Sequence, residues 1–355
     1  MPPLILPLAC AFVATLAAPL TGENSYGPIP GQTPLYNDYR GISAPFPAGK
    51  VTGPTLPTAS GPPGPEDYLW QNLVAAEWTI LAFYQHAVEL FNISSFTSLG
   101  LPITTYGRIV EIRDNEAGHL NIFYREISNT STKPGPCEYD FGFEHPLDPE
   151  FFLGEQVFIE LSSISFLSGL VNQAVSPTSR SALVVVGSVE TRHNAWALTN
   201  SWGIDPFDGP ADAAYPWPEQ ILGLTTRFIK NGSCPVANPA YPYPNQEKPA
   251  MSFITTVSSG HPGEAIQFTF PGHEPKWKHG KEYYAVFVHA INNITVPFDP
   301  KTGMSTVPAE FDSNRGLIYA LIVDQPGAPC LESMLAGPLT LLQQPAALTT
   351  VIGGI

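Results

Sequence analysis

Two Glu-x-x-His tetrads constrain what this chain can fold into: EAGH, with Glu116 and His119, and ETRH, with Glu190 and His193. Each lies in a stretch whose apolar residues recur at helical spacing. The i, i+3 interval turns both side chains to the same side of a helix. Two further helix-periodic stretches carry one Glu each in phase with the apolar stripe, Glu77 in AAEWTI and Glu160 in FIELSS. Four ionised carboxylates in an apolar core would each cost several kcal/mol and would repel one another. A fold that buries them must also neutralise them, by protons or by cations.

The helices are readable around these residues. The first runs from Glu66, with Trp70, Val74, Leu81, Tyr84 and Val88 on one face. The second starts at Pro102, with the stripe Ile109, Ile112, Leu120 and Phe123. The third covers EFFLGEQVFIELSSISFLSGLVNQAV. The fourth opens at Ser176-Pro177, an N-cap followed by proline in the first turn. A shorter fifth follows from Pro218. Glu77 lies about 16 residues before the end of its helix and Glu116 about 14 after the start of the next. At ~1.5 Å per residue, antiparallel neighbours place them within about one turn of each other. Glu160 and Glu190 agree in the same way, at about 12 and about 13 residues from their shared turn.

Two hairpins thus bring four Glu and two His to one layer. Two divalent ions cancel the charge of four carboxylates, and carboxylate with imidazole suits iron or manganese. It is the ligand pattern of di-iron and di-manganese carboxylate bundles. Glu77, Glu116 and His119 would hold one ion, Glu160, Glu190 and His193 the other, with Glu116 or Glu190 as a bridge. Any one of these residues alone has a plainer explanation, such as a solvated or salt-bridged Glu. Order, phase, height and the long link between the hairpins make the set specific. Tyr84, two turns after Glu77, is read as a core aromatic within reach of the site. His86, His145, His261, His273, His279 and His289 have no partner at ligand spacing and are read as surface or packed histidines.

The rest of the chain reads as secreted. Residues 1–18 are apolar, end in small residues and resemble a signal peptide, although they carry no Lys or Arg. Sequons stand at Asn92, Asn129, Asn231 and Asn293. Removal of the leader takes Cys10 and leaves Cys137, Cys234 and Cys330, enough for one disulfide of open pairing and one thiol. Residues 19–62 form a Pro/Gly-rich leader, 63–232 the helical domain and 233–249 a linker. Residues 250–330 turn strand-like (AIQFTF, EYYAVFVHAI, GLIYALIV) and are expected to form a small antiparallel sandwich without metal ligands. The tail, 331–355, is broken by Pro338, Pro345 and paired Gln and is expected to hold little structure; its signal for a lipid anchor is weak. With 16 Lys+Arg against 31 Asp+Glu and no basic run, nucleic acid and anionic membranes are not expected as partners. No stretch is read as a transmembrane helix.

At VAAEWTILAFYQHAVELF, EIRDNEAGHLNIFYREI and VETRHNAWAL the chain resembles the ferritin-like superfamily. Within it, the chain is similar to the secreted fungal branch of late sexual development and starvation stress-response proteins. The resemblance covers about residues 63–232, the signal peptide and the β-rich end. It implies a mainly α fold, a four-helix bundle whose long crossover residues 129–149 supply, and a site of two Fe or Mn ions on the six residues above. It further implies candidate partners O2 or H2O2 and a place outside the cell or in its wall, where a wall polysaccharide is a candidate partner of the β-rich end. Iron-storage ferroxidases, oxygenases, peroxide scavengers and manganese catalases all use this fold, so the fold alone does not choose an activity. The reading from another class is a secreted structural or cell-surface protein with a non-catalytic bundle.

Overall fold

The computed structural model describes residues 53–207, 218–243, 248–289, 292–311, 316–327 and 332–349. The expected signal peptide, most of the leader, Cys330 and the last residues of the tail lie outside the described residues.

Four long helices come first: α1 (Asp67–Leu90), then, after the short α2 (Ile93–Thr97), α3 (Thr105–Glu126), α4 (Pro149–Leu170) and α5 (Pro177–Trp196). A seven-residue α6 (Pro218–Leu224) follows. The sequence sets several ends. The Asp148 carboxylate accepts from the backbone N–H groups of Glu150 at 3.1 Å and Phe151 at 2.9 Å, ahead of Pro149 in the first turn. Ser176 caps α5 in the same way, accepting from Ser179 at 3.2 Å. The second long helix begins at Thr105 rather than Pro102, and no side chain caps it. Past Trp196 the α-helical bonding widens into a π-type turn over Ala197–Ser201.

Helix α1 packs on α3, and α4 on α5; α4 also touches α1 and carries α6. Among the described residues α4 is the one helix long and apolar enough to cross a membrane, but most of it is buried inside the protein. The connection between α3 and α4 does more than span. Its YDFGF alternation sends Tyr139, Phe141 and Phe143 inward in a stacked row. There Phe143 meets Phe83 and Phe152. Cys137 is bridged to Cys234, which pins this connection to the segment after α6. Residues 233–249, read from sequence as a linker, are in part strapped down. Asn72 exchanges two hydrogen bonds with the Tyr243 backbone, and Asn238 two with Gly135. Thr55, Thr58 and Ala59 of the leader bond to the backbone of Asn129 and Lys133.

The C-terminal region holds two antiparallel sheets. β1 (Ser252–Phe253), β2 (Ala265–Thr269) and β5 (Met304–Thr306) form one, in the order β1-β2-β5. β3 (Tyr283–His289), β4 (Asn292–Phe298), β6 (Leu317–Val323) and β7 (Met334–Leu342) form the other, in the order β4-β3-β6-β7. The run LIYALIV in β6 is buried at every position because both of its faces are covered. Leu317, Tyr319, Leu321 and Val323 join the core of the helices. Ile318, Ala320 and Ile322 join Phe253, Ile266 and Phe268 between the sheets. The four-stranded sheet is therefore the middle layer, with helices on one side and the smaller sheet on the other.

The tail differs from its expected low structure, since Met334–Leu342 is strand β7. Pro338 is tolerated because β7 is an edge strand and its pairing with β6 shifts register nearby. Gly337, at φ 102°, fits this irregular point; a Cβ there would come 2.9 Å from the Ala320 carbonyl oxygen. Gln343, one of the paired Gln, is buried and donates to the carbonyls of Gly260 and Leu341. Leu348 ends against α4, where a Cβ on Gly154 would lie 2.9 Å from its methyl group.

Candidate metal centre

Each long helix contributes to one buried layer. Glu77 comes from α1, Glu116 and His119 from α3, Glu160 from α4, and Glu190 and His193 from α5, all between 0% and 5% exposed. Nδ1 of His119 lies 3.5 Å from Glu77 Oε1, 3.0 Å from Glu116 Oε2 and 3.1 Å from Glu190 Oε1. Nδ1 of His193 lies 3.0 Å from Glu116 Oε1 and 3.5 Å from both Glu160 Oε2 and Glu190 Oε2. Glu116 and Glu190 thus turn one oxygen toward each histidine. Two groups of four result, Glu77, Glu116, His119, Glu190 and Glu116, Glu160, Glu190, His193, with the ligand atoms of each group within 4.8 Å of one another. The sequence suggested one shared carboxylate, Glu116 or Glu190; the geometry lets both be shared.

These buried groups could hold metal ions, and their hydrogen bonding fits that use. Glu77 Oε1, Glu116 Oε1, Glu160 Oε2, both Glu190 oxygens and His193 Nδ1 make no hydrogen bond. They lie close together within the two groups of four. Orphaned buried polar atoms are costly, and a cation among them removes that cost. Oxygen donors with imidazole suit Fe or Mn better than softer metals.

Electrostatics separates the four carboxyls into pairs. Burial pushes Glu77 well above the usual carboxylate range, and the neighbouring His119 only partly opposes it. Burial likewise raises Glu160 well above that range against the pull of His193. Burial would also raise Glu116 and Glu190, yet the two histidines hold both below the usual range. Burial disfavours the charged form of each histidine, but the surrounding carboxylates win and raise His119 and His193 well above the ordinary value.

Two residues beyond the six complete the layer. The Tyr84 hydroxyl donates to Glu160 Oε1. Tyr84 is buried as a core aromatic, edge-on to Phe83 and Phe152, and it reaches the site as well. Burial, with Glu160 and Glu116 nearby, raises its phenol well above the ordinary value. Asn115 was missed. Its Oδ1 lies 3.1 Å from His193 Nε2, and an amide oxygen only accepts, so it draws the ring proton to Nε2 and leaves the Nδ1 lone pair facing the carboxylates. Asn115 lies off the apolar stripe, so only its place beside Glu116 could have marked it. Of the other histidines, His86 pairs with Glu144 at 3.1 Å, and His289 bonds the Leu317 carbonyl. Neither group of four draws on the β-rich region.

Residues 69–200 match the family model of the ferritin-like domain. A comparison with curated proteins gives no match. The ferritin-like match spans α1 to α5 and takes in all six clustered residues, while the two antiparallel sheets lie beyond it.

Proposed function

We propose that this chain is a secreted di-metal carboxylate protein, built as a four-helix bundle of α1, α3, α4 and α5 with residues 127–148 as the long crossover. Two iron or two manganese ions would sit between Glu116 and Glu190, one completed by Glu77 and His119, the other by Glu160 and His193. The sharing of both tetrad carboxylates between the two groups of four carries this reading. Bound there, the ions would supply redox chemistry toward O2 or H2O2. The chain's own part is to hold and shield. Asn115 orients the His193 ring, and Tyr84 fixes one Glu160 oxygen and offers a proton there. Phe83, Phe123 and Phe152, all buried, keep water from the layer and strengthen its electrostatics.

Secretion is supported by the apolar first 18 residues, by the Cys137–Cys234 bridge, which persists in oxidising compartments, and by exposed side chains at Asn92, Asn129, Asn231 and Asn293. We place the chain with the fungal development and stress-response branch on its sequence resemblance, with the cell surface or wall as its location. Expression with the native leader tests this part: glycosylated protein in the medium is expected, and retention in the cell without glycan contradicts it.

A structural role is the second reading, favoured by the core that the helices share with the middle sheet. The Glu116→Ala/Glu190→Ala double variant separates the two. Loss of O2 or H2O2 turnover at unchanged Tm supports redox chemistry. No turnover in either form, with a large loss of stability in the variant, supports the scaffold.

A further inference from the structure

A second cleft, of ≈ 630 Å3, opens between the helices and the middle sheet, away from the clustered carboxylates. Helix α4 and the turn after α6 form one wall, and β7 with the segment from Lys248 forms the other. Its size is that of a small-molecule site, and domain junctions are where such sites concentrate. Its charge is unlike the rest of the chain. The protein carries a formal net charge of -15, yet among the described residues no Asp or Glu lines this cleft, whereas Arg227, Lys248 and His273 all do.

The three basic side chains differ in their freedom. Arg227 donates to Glu155 at 2.6 Å and lies over the Phe158 ring at 4.3 Å, so it is balanced and held in place. Lys248 and His273 have no ion-pair partner among the described residues and are left for a ligand. A further group points the same way. The Thr340 hydroxyl on β7 is in a residue only 4% exposed, lines the cleft and makes no hydrogen bond. A buried hydroxyl without a partner costs free energy that a bound acceptor would recover. Phe158 and Tyr241 add an aromatic wall.

We propose that this cleft binds a small organic carboxylate with an aromatic or apolar body. The carboxylate would accept from Lys248, His273 and the Thr340 hydroxyl, and the body would lie against Phe158 and Tyr241. This site is separate from the proposed metal centre and does not depend on it. Benzoate is the probe, titrated into the full chain by calorimetry, with benzyl alcohol and inorganic phosphate alongside. One saturable site is expected, with a Kd of about 1 mM or tighter for benzoate. Lys248→Met and His273→Leu should each weaken it about tenfold or more, because each removes a charge-assisted hydrogen bond. Both side chains are at least partly exposed, so both variants should fold. No saturable benzoate binding, or unchanged binding in both variants, would overturn the site. Benzyl alcohol binding as tightly as benzoate would overturn the carboxylate contact, and phosphate binding as tightly would overturn the apolar wall.

Discussion

His193 has two distinct ring nitrogens, and the account depends on their division of labour. Nε2 is held by Asn115 and Nδ1 faces Glu116, Glu160 and Glu190. Groups that orient a metal-binding histidine are worth about 10–100-fold in metal affinity. Asn115→Ala is therefore expected to weaken metal retention by about that factor, measured by competition with a chelator. Unchanged affinity would mean that packing alone orients the ring. Tyr84 is tested without metal. Tyr84→Phe removes the donor to a buried Glu160 oxygen, and urea unfolding of the metal-free protein should show a loss of about 1–3 kcal/mol. A variant as stable as the parent would mean that Glu160 finds another partner. At this scale the six clustered residues were legible because each sits on a periodic stripe. Asn115 was hidden, since a residue that acts through a neighbour carries no period of its own.

Helix ends and crosslinks set the next scale. Glu66, just before α1, accepts from the backbone N–H groups of Val175 and Ser176 and from the Ser179 hydroxyl, so it ties the start of α1 to the start of α5. Burial would raise its carboxyl, but these donors outweigh burial and lower it below the usual value. A lowered carboxyl stabilises the fold above its unfolded pKa, and that contribution is lost as pH falls through the folded value. Glu66→Gln should thus lower stability at neutral pH and flatten its loss on acidification, as read from Tm against pH; parallel profiles would contradict the tie. The Cys137–Cys234 bridge closes a loop of 97 residues, for which the chain-entropy model gives about 4–5 kcal/mol. Cys137→Ser/Cys234→Ser should lose much of that in chemical denaturation, and an unchanged midpoint would show that hydrogen bonds such as Asn238–Gly135 suffice. The Ser176 cap was legible because capping is local chemistry. The Cys137–Cys234 pairing was not, because three spaced cysteines leave several closures open.

The whole molecule is where sequence reading fell furthest short. A change from helical to strand-like period near residue 250 marks the two regions, but period does not say which faces meet. The LIYALIV run was a clue, since a strand buried on both faces needs a layer on each side. The region was expected to fold beside the bundle as its own unit, yet Val286, Val288, Leu317, Tyr319, Leu321 and Val323 lie in the helical core, and Tyr319 donates to Ser165 on α4 at 2.8 Å. Cutting the chain after Lys248 would strip that apolar face from the helices, so the fragment is expected to aggregate, as judged by size-exclusion chromatography. A soluble monomeric fragment would restore the picture of independent units. The central claim, that Glu116 and Glu190 are shared between two ions in one chain, has a direct test in the metal-to-protein ratio after anoxic reconstitution of the full chain with Fe or Mn. About two ions per chain are expected in the parent. Glu77→Ala should retain about one, and Glu116→Ala should lose both, because Glu116, unlike Glu77, belongs to both groups of ligands. A parent ratio below about one, or a Glu116→Ala protein that holds as much metal as Glu77→Ala, would contradict the account.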